Sequence, residues 1–236
     1  MKHRVNPEIR IAEFDRFAGS YEELIRDPLR DAFAGNSDFF QTRKRDVIRN
    51  YFSRRGREMR ELHYLDMGCG KGELMSLLAS DFARVAGCDP SRAMLEAARN
   101  LEVRVQQDPT RIPFADKEFD FITAVCVYHH VPFQTRLDLC GEVRRVLRPG
   151  GVFALIEHNP LNPATRMIVR RSPMDAGANL LCANDARSML ERAGFTIDDQ
   201  TYFLYFPEKV FKAAAGIENL LRRVRLGGQY AMFGKI

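Results

Sequence analysis

Gly68, Gly70 and Gly72 fall within five positions of "YLDMGCGKGELMSLL", residues 64–78, and Asp66 stands two residues ahead of the first of them. Tyr64 to Met67 read as a short buried strand, and Leu74, Leu77 and Leu78 recur at helical spacing, which puts the glycines at a strand-to-helix turn. Such a turn admits a ligand to the main chain with no Cβ in the way, and it offers unpaired N–H groups at the helix start. A nucleotide-like guest is expected. The spacing G-x-G-x-G departs from the dinucleotide fingerprint G-x-G-x-x-G, and the Asp66 carboxylate suits a cation such as an ammonium better than a pyrophosphate. Packing alone also produces glycine-rich turns of this kind.

Two further acids follow at the ends of strand-like runs. Asp89 closes "RVAGCD" about twenty residues past the glycines, where an acid can accept hydrogen bonds from both ribose hydroxyls. It could instead cap the next helix, a task for which Ser91 is equally suited. Asp108, in "QQDPTRIPF", reads as the end of the third strand, with the exocyclic amine of adenine as its partner or, alternatively, a Pro-containing turn to open.

These groups need a scaffold that gathers them. Strand-like segments at 84–89, 101–107, 119–128 and 151–158 alternate with helix-like segments at 91–100 and 134–147, the pattern of a parallel sheet covered on both faces. Ligands of such sheets bind beyond the carboxyl ends of the strands. Those ends carry Asp66, Asp89, Asp108, the run Cys126 to His130, and Glu157 to Asn159.

Bulk properties agree with one domain. The chain has 236 residues, 45% hydrophobic and 28% charged, with a net charge of +5. "MKHRVNPEIR" has no apolar core and no stretch nears the roughly 18 apolar residues of a membrane span, so a cytoplasmic protein without stable membrane insertion is expected. The five cysteines are scattered without a C-x-x-C pair, so reduced thiols and no metal are expected. Basic clusters at 49–60, 166–171 and 220–225 lack interleaved aromatics and read as solvated helix faces rather than a nucleic-acid stripe. The amphipathic segment at 210–226 could touch an anionic membrane, but a core-packed helix is the preferred reading.

Four segments in order, "LDMGCGKGEL", "GCDPSRAMLEAAR", "QDPTRIPFADKEFDFITAVCVYHHV" and "EVRRVLRPGGVFALIE", resemble the class I S-adenosylmethionine-dependent methyltransferases, over roughly residues 60–160. The likeness is greatest to the small-molecule and quinone-biosynthesis branch. The resemblance implies a Rossmann-like, seven-stranded, mostly parallel sheet with helices on both faces. It also implies a sixth strand at 195–206 and an antiparallel seventh at 228–235 beside the fifth, with a helix at 183–194. It divides the domain into an N-terminal helical lid (1–58), a cofactor-binding core (59–158) and an acceptor-side cover with the final strands (159–236).

What the resemblance implies for the site is specific. S-adenosyl-L-methionine, leaving as S-adenosyl-L-homocysteine, would rest on Asp66, Gly68, Cys69, Gly70, Asp89, Pro90, Asp108, Pro109 and Cys126. Pro109 departs from the pattern, because the family often gives adenine a backbone N–H there and proline has none. "FDRFAGSYEEL" (14–24) resembles the family's lid helix, which makes Tyr21 a substrate-binding candidate or an ordinary packing aromatic. The connection 159–182 is longer than usual and is assigned to the acceptor, with Arg166, Arg170 and Arg171 as partners for a phosphate or carboxylate unless they form a solvated face.

Methyl transfer to a hydroxyl or an acidic carbon also requires removal of a proton, and His158, His129 and His130 are the candidate bases at the strand ends. The expected acceptor is a small molecule methylated on O, C or N: a metabolite, natural product or glycan precursor. Nucleic acid is not expected, and the chain is expected as monomer or homodimer. An NAD(P)-dependent oxidoreductase and a non-catalytic partner protein on the same fold are the alternatives.

Overall fold

The computed structural model describes residues 14–236. The first thirteen residues of the expected lid lie outside them.

Seven strands form one sheet. They are β1 (His63–Met67), β2 (Arg84–Asp89), β3 (Glu102–Val105), β4 (Phe119–Val125), β5 (Leu147–His158), β6 (Thr196–Phe203) and β7 (Gln229–Lys235). Their order is β3-β2-β1-β4-β5-β7-β6. The pairings from β3 through to β5 are parallel, while β7 runs antiparallel between β5 and β6. Consecutive connections leave β1 and β4 in opposite directions, and this reversal opens a crevice beyond their carboxyl ends.

The helices cover both faces. Among the described residues, a helical stretch at 14–17 is followed by α1 (Tyr21–Leu24), α2 (Pro28–Phe33) and α3 (Ser37–Ser53) before the sheet begins. Four more are α4 (Glu73–Leu78), α5 (Arg92–Ala97), α6 (Arg136–Val146) and α7 (Pro163–Arg171), followed by α8 (Ala183–Arg192) and α9 (Glu208–Leu221). Neighbours along a strand point to opposite faces, so Tyr64, Phe121, Val152 and Phe233 pack under α3, while Leu65, Ile122, Phe153 and Met232 pack under α6 and α8. In α3 the buried positions Phe39, Val47, Ile48, Tyr51 and Phe52 fall on one stripe. Phe52, Tyr64, Phe82 and Phe121 stack or meet edge-on, with ring centroids 4.9–6.1 Å apart.

Local chemistry sets several boundaries that differ from the expected ones. β5 begins at Leu147 and not at 151, because "RPGG" is absorbed as an irregularity between the Phe119–Leu147 and Phe121–Val152 pairs. β3 ends at Val105, three residues before Asp108. Ser91 caps α5 by accepting the Met94 N–H at 3.1 Å, which leaves the Asp89 carboxylate free for other partners. The connection after β5 holds a helix of its own, α7, with Asn162 accepting the Thr165 N–H at 3.0 Å and Pro163 in the first turn.

The segment at 210–226 is not a core helix. Only Glu218 of α9 is buried, and it anchors the helix by pairing with Arg43 and accepting the Tyr205 N–H at 3.1 Å. Val210, Ile217 and Leu220 stand exposed on its outer side.

Part of the basic cluster at 49–60 is held in ion pairs: Arg49 forks onto Asp81 at 2.7 and 2.9 Å, Arg54 reaches Asp199 at 2.7 Å and Arg55 pairs with Asp198. Among the described residues no helix is long and apolar enough to cross a membrane.

Phe121 is fully buried at the centre of the aromatic group, so Phe121→Ala should lower unfolding free energy by about 3–5 kcal/mol. A urea titration checks this, with the midpoint expected to fall at unchanged slope; a midpoint shift worth less than about 1 kcal/mol would show that the cluster adjusts around the gap.

Candidate active site

The crevice at the β1–β4 reversal opens into a cavity of about 650 Å³ that runs from α5 to α7. One end is built by the glycine turn. Gly68, Gly70 and Gly72 have φ of 74°, 53° and 74°, the left-handed region open to residues without a Cβ. A Cβ at Gly68 would lie 2.4 Å from the Val127 side chain, and one at Gly72 2.7 Å from Leu101. At Gly70 it would meet no atom within 4 Å. Two of the glycines therefore serve close packing, and the third leaves the cavity floor bare.

Asp89 holds that turn in place. Its Oδ2 accepts the Gly70 N–H at 2.9 Å and its Oδ1 the Ser91 N–H at 2.8 Å. Burial raises its carboxyl above the usual range, partly offset by those two N–H groups. Asp66 lies deeper, 3% exposed, and accepts the Thr123 hydroxyl at 2.6 Å, while Tyr64 Oη and Thr123 Oγ1 lie 2.7 Å apart. Burial pushes the Asp66 carboxyl up to about 7 against the pull of Thr123 and the charge of Lys44.

The other end is polar at its base and apolar above. His129, 1% exposed, places Nδ1 2.6 Å from Glu157 Oε2 and Nε2 3.1 Å from Asp175 Oδ1. Its backbone N–H also donates to Glu157 Oε1 at 3.3 Å. Burial alone would lower the imidazole, but the carboxylates on either side hold it up to about 10. Glu157, fully buried, is kept below the carboxylate range by His129 despite its desolvation, and Asp175 is likewise lowered to about 2. His158 is the opposite case. Burial and the neighbouring His129 charge lower it to about 4, so its ring is neutral, with ring centroids 5.3 Å apart.

Most of the expected site residues meet here. Asp66, Gly68, Cys69, Gly70, Asp89, Pro90, Pro109, Cys126, His129, His130, His158 and Tyr21 all line the cavity. Cys126 does so with φ of 56°, uncommon for a residue with a side chain. Tyr21 sits under the Lys71 ammonium, 5.1 Å from its ring centre.

Asp108 does not line it. Its exposed Oδ1 accepts the Thr110 N–H at 2.8 Å and hydroxyl at 2.6 Å, the turn-opening alternative. Gln106, 5% exposed, faces the cavity in its place. Arg166 and Arg170 are also outside, because α7 turns Thr165, Ile168 and Val169 inward and leaves the arginines on the solvent side. Arg171 reaches Asp27 at 3.5 Å.

Asp175, Lys44 and Gln229 were not legible as site residues. They come from the connection, the middle of α3 and the start of β7, and no local motif marks them. Gln229 places Nε2 3.5 Å from Cys126 Sγ and leaves Oε1 buried without a partner among the described residues.

A parallel sheet with an inserted antiparallel β7, a glycine turn after β1 and an acid closing β2 defines the class I methyltransferase fold. Residues 65–155 match the model of a methyltransferase domain family. The chain is 34% identical over 142 residues to an uncharacterized methyltransferase of Synechocystis, covering 56% of this chain and 66% of that one. It is 33% identical over 165 residues to methyltransferase GfsG of Streptomyces halstedii, covering 61% and 58%. The chain thus spans between half and two thirds of the length of these relatives.

In structure it resembles a methyltransferase of Thermotoga maritima described as a possible histamine N-methyltransferase, with TM-score 0.66, 18% identity and 94% and 97% coverage. Residues 65–155 thus carry a methyltransferase domain, and the relatives and structural neighbours, methyltransferases themselves, point to S-adenosylmethionine as the cofactor rather than the dinucleotide of an oxidoreductase. The residues present fit that group: a buried acid for a cation at Asp66, a bare floor at Gly70 and a second acid, Asp89, beside the turn at the end of β2.

Two predictions follow from this end of the cavity. Asp89→Ala should weaken S-adenosylhomocysteine binding by about 1.5–3 kcal/mol in calorimetry, the worth of hydrogen bonds to a charged group. Unchanged affinity in a folded variant would take Asp89 out of the site. The second concerns pH. Because folding raises the Asp66 pKa, its contribution to stability is present at low pH and lost as pH rises through about 7. A bound ammonium favours the charged carboxylate, so S-adenosylhomocysteine affinity should rise between pH 6 and 8, by at most about tenfold per unit, with proton release to the buffer. Asp66→Asn should flatten that dependence; an equally steep curve in the variant would assign the proton elsewhere.

Proposed function

We propose that the chain transfers a methyl group from S-adenosylmethionine to a hydroxyl, or an acidic carbon, of a small and largely apolar acceptor. When bound, the cofactor supplies a methyl on a positively charged sulfur. Asp66 and the glycine turn orient its cationic end, and Asp89 holds the turn. The observation that carries the acceptor reading is the uneven wall of the cavity's far end. Ile25, Leu29, Phe33, Phe40, Ile168 and Met174 line it, interspersed with Arg30, Ser37, Gln41 and Lys44, while three histidines stand at the carboxyl ends of β4 and β5. An acceptor with an apolar body and one reacting polar group matches such a wall.

We assign the proton to His158, which ends β5, lines the cavity and pairs in register with Gln229. His129 is committed to two carboxylates, which suits it to holding the wall rather than to accepting a proton. The engagement of Arg49, Arg54 and Arg55 in ion pairs supports a small molecule over a nucleic acid. The intact glycine turn with Asp66 and Asp89 supports an active enzyme over a non-catalytic partner.

His158→Gln should lower kcat by roughly 10²–10⁴ on a hydroxylated aromatic acceptor and leave S-adenosylhomocysteine affinity within about twofold. The measurement is acceptor-dependent formation of S-adenosylhomocysteine. Turnover near that of the unaltered protein would remove His158 from the chemistry, and a loss of melting temperature without a loss of rate would assign it to stability.

A further inference from the structure

His129, His130 and Asp175 bring two imidazoles and a carboxylate together at the acceptor end, and their ligating atoms all lie within 4.8 Å of one another. Asp175 Oδ1 is 3.1 Å from His129 Nε2 and 3.5 Å from His130 Nε2. Three ligands bound to one metal ion at about 2.1 Å stand roughly 3.0–3.5 Å apart, and both distances to Asp175 fall in that range. Behind it, Glu157 Oε2 lies 2.6 Å from His129 Nδ1. A carboxylate there accepts a hydrogen bond from Nδ1–H, which keeps the proton on Nδ1 and directs the Nε2 lone pair outward, as the acids behind metal-binding histidines commonly do. In front, the three residues border the cavity, where Gln229 leaves a buried Oε1 without a partner among the described residues.

We propose that His129 Nε2, His130 Nε2 and Asp175 Oδ1 form a three-ligand site for a divalent transition metal, open toward the cavity, and that it anchors acceptors bearing two adjacent oxygen atoms. Two histidines and one carboxylate suit zinc, iron(II), cobalt(II) or manganese(II) more than magnesium or calcium, which favour all-oxygen shells. Three protein ligands leave coordination positions for solvent or substrate. An ion at that place substitutes for the proton that otherwise bridges His129 and Asp175, and it offsets the negative charge of Asp175 and Glu157. The acceptor class follows because a vicinal pair of oxygens can fill two open positions at once. This half rests on the proposed methyl transfer; the metal half does not.

The test uses the full chain after treatment with a chelator. Titration with cobalt(II) and with zinc(II), followed by calorimetry and by the visible spectrum of cobalt, should show one saturable site per chain with nitrogen and oxygen ligation. His130→Ala and Asp175→Ala should each lower affinity at least about tenfold, and Glu157→Gln by about 10–100-fold, while Cys182→Ser leaves it unchanged. Melting temperature and S-adenosylhomocysteine binding verify that each variant is folded, and His130→Gln, at a part-exposed position, serves if Asp175→Ala is not. The absence of saturable binding, a thiolate-type cobalt spectrum, or affinities unchanged in the folded variants would overturn the site.

Catechol then probes the acceptor class. It should bind the metal-loaded protein, saturated with S-adenosylhomocysteine, at least about tenfold more tightly than the metal-free protein, and phenol should not show the difference. Equal catechol affinities would overturn the anchoring role. Failure to bind S-adenosylhomocysteine at all would count against the proposed function and leave the metal titration to stand separately.

Discussion

A carboxylate sealed in the middle of a sheet must be paired, and the pairing of Glu157 with His129 organises the acceptor end of this protein. Glu157 is wholly buried, and both of its oxygens face His129, one toward the ring and one toward the backbone N–H. Removing one partner of such a pair leaves an uncompensated charge, a cost of about 3–5 kcal/mol. The turn after β4 is therefore fixed against the end of β5. His129 passes the constraint on to Asp175, which ties the connection after β5 to the same point. His158 is held neutral as a by-product, since the charge next door opposes a second one.

The cofactor end depends on backbone conformation instead. There the left-handed turn, the Asp89 carboxylate and the Ser91 cap form one hydrogen-bonded unit. Few side chains project from it, and the cavity is shaped by what the glycines lack. The two ends thus follow different physics: one is a packed polar network around buried charge, the other a bare main chain held from behind. The first is built from residues far apart in the sequence, the second from one continuous turn and the strand beside it.

This division explains what could be read from the residues alone. Alternation of strand and helix, the glycine turn and the positions of Asp66 and Asp89 are local patterns, and the structure places all of them as expected around the crevice. Asp108 shows the limit of such reading. Its place after a strand suggested a ligand contact, but "DPT" is also a strong turn sequence, and the hydrogen bonds to Thr110 prevailed while Gln106 turned inward. The arginines of α7 failed for a related reason, since an amphipathic helix sends its charges to solvent once its apolar face is buried. Asp175, Lys44 and Gln229 reach the cavity through tertiary packing, over separations that no spacing rule spans.

α1 and α2, which cover the cavity, are four and six residues long, too short to persist by their own hydrogen bonds. They are held by what they rest on: Asp27 caps α2 by accepting the Leu29 N–H at 2.8 Å, and Tyr21 lies against Lys71 of the glycine turn. Two helices this short take their shape from their caps and from the glycine loop beneath them, so a change in the backbone of that loop is transmitted to the cover as a change in its folding and not merely in its position.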